Sequence, residues 1–303
     1  MARKIGIPRS LFYYRYFPLW KTFFEELGAE ITVSDYTNKK ILDDGTKMCV
    51  DEACLPVKLF HGHVANLRNR VDCLFIPRFT SVSKNEYICP KFGGLPDMVR
   101  HTIEGLPEII DTEVNMRRSR KGAFKAAVEI GSRLGKSKRE TIRAFEKSIE
   151  SHLDYKLQMK CGLLPCDILD KRQKRAVDTG QVGVPTYGNP VKKLNIAVIG
   201  HVYNLNDPFI NMDMIYKLKA FRTNIITMEM LNSGAVNEKA GSLSKRMFWN
   251  FGRNAVGSSL HILEKEDLDG MIYVMSFGCG IDSFVCDLVE RRVRKTRDIP
   301  FMT

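Results

Sequence analysis

Val71-Asp72-Cys73-Leu74-Phe75-Ile76-Pro77 is an apolar run with one acidic interruption near its start, closed by a proline. A strand with one wet face alternates apolar and polar residues. This run has no polar face, so it reads as a parallel strand covered by helices on both sides, with Cys73 in the core. Upstream, Arg3-Lys4-Ile5-Gly6-Ile7-Pro8 reads as a first strand. An aromatic-rich loop over 11–17 follows, then a helix expected to open at Pro18 and run through Trp20, Phe23, Phe24 and Leu27 until Gly28 stops it, before Ile31 and Val33 begin a second strand. Phe12, Tyr13, Tyr14 and Tyr16 either line a substrate slot or, more commonly for such rings, pack a core. A short helix is expected near Ile41-Leu42-Asp43, ended by Asp44-Gly45. The next helix carries Leu59, Phe60, Val64 and Leu67 on one side, with Gly62 marking a close helix contact. His61 and His63 face apart on such a helix and are read as structural or as support behind a ligand rather than as ligands themselves. After the apolar run comes a long polar loop, then a helix following the turn at Gly93-Gly94-Leu95-Pro96-Asp97, and a last strand over Glu108–Thr112.

The plan returns in the second half. Leu194–Gly200 reads as a strand, His201–Pro208 as a loop, Ile210 to Leu218 as a helix and Ile225–Met228 as a strand. A helix around Phe248 to Leu263 then precedes the strand Gly270–Met275. Neither first loop has the GxGxxG pattern, so dinucleotide binding is not expected. The fold class expected is α/β, two Rossmann-like lobes with parallel sheets joined by a helical connector. The divisions are 1–115 for the first lobe, 116–190 for the connector and bridge, and 191–303 for the second lobe. Within the connector, 122–159 is helical and strongly charged, whereas 160–190 is rich in Gly and Pro and carries Cys161 and Cys166. Asp298–Thr303 starts a strand and then stops, so the second lobe is expected to be truncated at its C-terminus.

The 303 residues suffice for two cores, and 44% hydrophobic with 27% charged residues is the composition of a soluble globular protein. Pro8, Arg9 and Arg15 interrupt any signal-peptide core, and no apolar run reaches the ~20 residues of a membrane span, so a cytoplasmic protein without membrane association is expected. The excess of 47 Lys and Arg over 35 Asp and Glu gives a net charge of +12, much of it in 117–143 and 290–297. Such an excess attracts polyanions, either nucleic acid or a phosphorylated cofactor such as coenzyme A. Solvated basic helix faces are the commoner explanation, and nucleic acid is not an expected partner.

Eight cysteines in a chain without export signals argue for thiols, metal ligands or core residues rather than disulfides, yet none is spaced as CxxC. Three lie in punctuated loops. Asp51-Glu52-Ala53-Cys54-Leu55-Pro56-Val57-Lys58 sets a cysteine before a proline that opens a helix, where the positive end of the dipole stabilises a thiolate. Tyr87-Ile88-Cys89-Pro90-Lys91 is punctuated in the same way, and Ser276-Phe277-Gly278-Cys279-Gly280-Ile281-Asp282 follows a buried strand. The working expectation is that Cys54, Cys89 and Cys279 converge on one iron–sulfur cluster. Cys49 is either a spare ligand or, preferably, a buried thiol. Glu52, His201, Tyr203, Asn204, Asp207 and Asp282 are substrate-site candidates by position alone, with structural hydrogen bonding at least as good a reading.

IGIPRSLFYYRYFPLWKTFFEELG, DEACLPVKLFHGHV, YICPKFGGLPDMVR, GHVYNLNDPFINM and FGCGIDSF together resemble the uncharacterised domain of proteins related to the activase and dehydratase of 2-hydroxyacyl-CoA metabolism. More distantly the chain is similar to the cluster-bearing subunits of 2-hydroxyacyl-CoA dehydratases and benzoyl-CoA reductases. The resemblance implies two Rossmann-like lobes and a 4Fe-4S cluster held by Cys54, Cys89 and Cys279, with one iron position open. It further implies a separate ATP-dependent activator protein as electron donor, an acyl-CoA or other small-molecule substrate, and a homodimer or heterodimer. Activity as an acyl-CoA dehydratase or reductase component is one reading. The alternatives are a fused-cluster reductase component acting on a non-CoA small molecule, and a cluster-free binding or scaffold protein with a basic surface.

Overall fold

The computed structural model describes residues 2–119, 121–169 and 193–303. They form two compact units, one of Met1–Tyr155 with Phe248–Asn250 and one of Lys156–Met247 with Phe251–Thr303. The segment 116–190, read from sequence as a connector, is divided between them, and its residues 170–190 lie outside the described ones.

The first unit is built on four parallel strands, β1 (Lys4–Ile7), β2 (Glu30–Val33), β3 (Cys73–Phe75) and β5 (Glu108–Ile110), in the order β2-β1-β3-β5. Ile5 pairs with Ile31 on one side and Cys73 on the other, and Cys73 in turn pairs with Glu108. Cys73, Leu74 and Phe75 are all buried, as a strand covered on both faces requires. Two further strands form a separate parallel pair: β4 (Arg78–Ser81), within what reads from sequence as a polar loop, and β6 (Glu113–Asn115), just past the expected last strand. Their short length and mixed composition gave no periodicity to detect.

Helix α1 spans Tyr13–Glu26, opening five residues before Pro18 and taking in most of the expected aromatic loop. Pro18 lacks the N–H that would bond to the Tyr14 carbonyl one turn back. That carbonyl instead accepts the Tyr155 hydroxyl at 2.6 Å, which lets the helix pass through the proline. The aromatics pack as a core: Tyr13 and Tyr14 are buried, and Phe12 lies against Phe79 and Phe92 with centroids 4.8 and 4.4 Å away.

Helix α2 (Lys39–Met48) starts where the Asn38 side chain accepts the Ile41 N–H at 3.0 Å, and it runs on through Gly45. Gly45 is a contact rather than a stop. A Cβ there would stand 2.0 Å from the Lys58 carbonyl oxygen, and one on Gly62 would stand 1.9 Å from that of Ile41, so α2 and α3 (Leu55–Leu67) cross backbone to backbone through the two glycines. Helix α4 (Lys91–Thr102) likewise begins ahead of the glycines and proline expected to form its turn. The charged stretch folds as α5 (Lys121–Arg133) and α6 (Lys138–Lys160), with Gly135 between them in the left-handed region at φ 71°.

The second unit repeats the plan on β7 (Asn195–Gly200), β8 (Asn224–Thr227), β9 (Gly270–Val274) and β10 (Phe301–Met302), parallel and in the order β10-β9-β7-β8. Alternate residues of β7 feed two cores. Ala197 and Ile199 join the face covered by α11 (Asn250–Ile262) and α12 (Gly280–Thr296), while Val198 joins Leu164, Cys166, Leu205 and Ile215 on the opposite face. The remaining helices are α7 (Pro165–Leu169), α8 (Val202–Asn206), which replaces the expected loop after β7, α9 (Met214–Ala220) and α10 (Ser233–Gly241). Among the described residues no helix is long and apolar enough to cross a membrane.

In each sheet the chain's first strand sits next to the second on one side and the third on the other. Such a reversal of winding opens a crevice at the carboxyl ends of the first and third strands.

Candidate functional site

The eight cysteines sort by environment. Cys49, Cys73, Cys166 and Cys286 are buried and Cys161 is exposed, whereas Cys54, Cys89 and Cys279 are the three that are half-buried. Burial pushes the Cys73 and Cys286 thiols up to about 11 and that of Cys166 up to about 12, which makes them inert core groups. Cys49 is buried as well, and burial pushes its thiol up.

Cys54 is the N-cap of α3, with extended backbone at φ −65° and ψ 153°, and its carbonyl accepts the Val57 and Lys58 N–H groups at 3.0 and 3.2 Å. Pro56 sits in the first turn, where its missing N–H costs nothing. The glycine crossing with α2 fixes the helix that carries this cysteine. His63 on α3 is buried, with Nδ1 2.9 Å from Ser34 Oγ and Nε2 3.0 Å from Thr37 Oγ1, and burial lowers its pKa to about 3. His61 Nδ1 lies 2.8 Å from the Val57 carbonyl. Both imidazoles serve packing rather than ligation.

Cys89 stands one residue before Pro90, the N-cap of α4, and its carbonyl accepts the Phe92 N–H at 3.0 Å. Its loop is braced from two sides. Ile88 donates to the Thr80 carbonyl of β4, and Tyr87 pairs with the strip Phe248–Asn250, donating to Phe248 O at 2.9 Å and accepting from the Asn250 N–H at 2.8 Å. Asn250 Nδ2 also donates to the buried Glu86 carboxylate at 2.6 Å. Arg78 of β4 pins the helix itself, donating to the Gly93 carbonyl at 3.2 Å and binding Asp97 with both arms. It also reaches Asp111 at 3.0 Å. Burial pushes the Cys89 pKa up, the Lys91 N–H opposes this, and the Cys54 charge adds to the rise.

In the second unit Cys279 is the N-cap of α12, just past the carboxyl end of β9. Gly278 precedes it at φ 76°, a left-handed turn that a glycine makes without strain. Cys279 donates its N–H to the Ser276 carbonyl at 3.1 Å, and its own carbonyl accepts the Ser283 N–H and hydroxyl at 3.1 and 3.0 Å. Asp282 is fully buried in the first turn of α12 and accepts the Tyr273 hydroxyl at 3.0 Å and the Ser276 N–H at 2.7 Å. Asn204 on α8 donates to Ser276 Oγ at 2.7 Å. His201, at the end of β7, stacks between Tyr203 and Phe251, its Nε2 3.9 Å from Asp282, and burial lowers its pKa to about 3. Asp207 accepts the Phe209 N–H at 3.0 Å in the loop after α8, and Glu52 is exposed. Of the positional candidates in this half, Asp282 and Asn204 meet through Ser276 in one hydrogen-bond network, His201 and Tyr203 stack on each other, and Asp207 braces its own loop; Glu52 belongs to the first unit.

Arg78, Glu86, Tyr273 and Asn250 were missed from the sequence. Each lies far along the chain from what it holds or sits inside an element, and no local pattern marks it. Among the described residues no group of three or more His, Cys, Asp or Glu side chains is gathered as for a metal ion. The first unit supplies two half-buried thiols and the second supplies one. Thiolate sulfur is the donor type that iron–sulfur clusters take, and hydrogen bonding and burial tune such a centre.

Residues 4–231 match the model of the family described as the CoA enzyme activase uncharacterised domain, and the chain belongs to that family. No curated protein matches the chain.

Proposed function

We propose that this member of the CoA enzyme activase family is an iron–sulfur protein in which Cys54, Cys89 and Cys279 hold a 4Fe-4S cluster. In this reading it serves as an acyl-CoA dehydratase- or reductase-type component that receives electrons from a separate ATP-dependent activator. The observation that carries the reading is the sorting of the cysteines: the three named thiols alone are half-buried, and each stands at the amino end of a helix. A core thiol is inert and a fully exposed one is unprotected, so half-burial leaves a sulfur within reach of an incoming metal and shielded once it is bound. When bound, the cluster supplies low-potential single electrons. The chain's own part is to present thiolates. The amino ends of α3, α4 and α12 favour the negative sulfur, and the braces on the Cys89 loop and the Cys279 turn hold the backbone before any metal arrives. Because burial holds Cys89 protonated in the metal-free chain, metal uptake releases a proton there and strengthens as pH rises.

Anaerobic purification or reconstitution, with iron and sulfide assays and visible absorbance, tests this. Wild-type protein is expected to be brown, and replacing Cys54, Cys89 and Cys279 together by Ser is expected to remove the iron. Single Ser changes at Cys73, Cys161, Cys166 or Cys286 should leave it in place. Iron retained by the triple variant sinks the assignment. A colourless wild-type protein leaves a binding or scaffold protein with a basic surface.

A further inference from the structure

The acidic residue in the third position of a helix usually turns back to the N–H of the cap residue. In α12 that cap is Cys279, whose N–H is already taken by the Ser276 carbonyl at 3.1 Å. The carboxylate of Asp282 reaches three residues further back and accepts the Ser276 N–H at 2.7 Å, while its other oxygen accepts the Tyr273 hydroxyl at 3.0 Å. Ser276 is gripped a second time through its hydroxyl by Asn204 at 2.7 Å. Burying a carboxylate is costly, and a helix cap alone does not need it. What this carboxylate holds is the start of the four-residue turn that ends on the Cys279 sulfur, at the end of β9 where the sheet's winding reverses.

We propose that Asp282 is a positioning residue that fixes the Ser276-Phe277-Gly278-Cys279 turn, so that the Cys279 thiol is held in place before any ligand binds. Its functional weight rests on the assignment of Cys279 as a ligand, while the positioning itself belongs to the metal-free chain. Asp282→Ala removes the acceptor for the Ser276 N–H. Asp282→Asn removes the charge but keeps one acceptor oxygen for the Ser276 N–H, its amide NH2 then donating to the Tyr273 hydroxyl oxygen, so the pair separates loss of the Ser276 bond from loss of the charge.

The experiment is site-resolved alkylation of the reduced, metal-free full chain by iodoacetamide, read by mass spectrometry with Cys54 as the internal reference. Asp282→Ala is expected to speed Cys279 alkylation by about fivefold or more, with Cys54 unchanged, because a released turn exposes the thiol. Asp282→Asn should stay within about twofold of wild type, since the hydrogen bond survives. Equal acceleration in both variants would make the effect one of charge, and acceleration at Cys54 as well would make it one of global stability. Either result overturns the proposal, as does no change in the Ala variant. Hydrogen exchange on the wild-type chain needs no variant: the Ser276 amide should exchange more slowly than that of Phe277, and equal rates also overturn it. Iron uptake is a separate arm. If wild type binds no iron but the Ala and Asn variants still differ, the cluster reading fails and the positioning role stands. If iron binds and the variants do not differ, only the positioning role fails.

Discussion

The two units wind four parallel strands in the same order, yet they hold their cysteines by different means. In the second unit the Cys279 turn is fixed from within, by Tyr273, Ser276 and Asp282 lying within nine residues of one another, with one further bond from Asn204. In the first unit Cys54 and Cys89 depend on distant partners. Gly45 lets α3 approach α2, Arg78 ties β4 to α4, and the strip Phe248–Asn250 braces the Cys89 loop from far along the chain. A local device tolerates changes elsewhere. A distributed one fails wherever it is cut.

The largest test of that contrast is Gly62→Ala. Helix propensity alone would make this change stabilising by about 1 kcal/mol. The new Cβ, however, would meet the Ile41 carbonyl oxygen at 1.9 Å, so the variant is expected to lose about 3 kcal/mol or more in urea unfolding. Gly94→Ala in α4 is the control: nothing lies within 4 Å of its Cβ, so it is expected to gain up to about 1 kcal/mol. A neutral Gly62→Ala would refute the close crossing.

Arg78→Met comes next, with about 2–3 kcal/mol expected from losing charge-assisted bonds to Asp97 and Asp111 and the bond to Gly93. Its effect on iron content should exceed its effect on stability if the first turn of α4 matters to Cys89, and Arg78→Lys, which cannot bond in the same fork, should rescue little.

Acid should weaken both units through their buried neutral histidines. His63 and His201 are neutral in the folded chain, with pKa lowered by burial from 6.5 to about 3. Below pH 6.5 the unfolded state binds the protons that the folded state refuses, so stability falls as pH drops from there toward 3, at about 1.4 kcal/mol per pH unit per histidine. His63→Gln is expected to flatten this acid limb in chemical denaturation measured between pH 6.5 and 5, and an unchanged limb would contradict the buried neutral imidazole.

The smallest effect is a coupling. Tyr155→Phe orphans the Tyr14 carbonyl and should cost about 1 kcal/mol, but in a Pro18→Ala background the new N–H at residue 18 satisfies that carbonyl, and the cost should fall by roughly half. Strict additivity in the double-mutant cycle would mean that the Tyr155 hydroxyl does not replace the missing donor.

Periodicity made the parallel strands legible, because a run such as Cys73–Phe75 or Ile196–Ile199 is apolar on both faces only where helices cover both. Proline and glycine were less reliable as punctuation. Pro18, Gly45 and Pro96 all sit inside helices, since a remote hydroxyl can replace a donor and a close backbone crossing makes glycine necessary. Of the buried cysteines, Cys73 in its apolar run announced its burial, whereas Cys166 and Cys286 gave no such local signal. The three in punctuated loops announced helix starts, and the half-burial that sets them apart emerged only from packing.

From the sequence alone came the two-fold repetition of a parallel α/β plan and the choice of Cys54, Cys89 and Cys279, because strand period, helix starts and loop punctuation are properties of neighbouring residues. Tertiary structure decided the strand order, the glycine crossing of α2 and α3, the braces on the Cys89 loop and the carboxylate under the Cys279 turn. Each of these joins groups whose side chains or backbones meet only after the chain has closed on itself, and no local pattern records such a meeting.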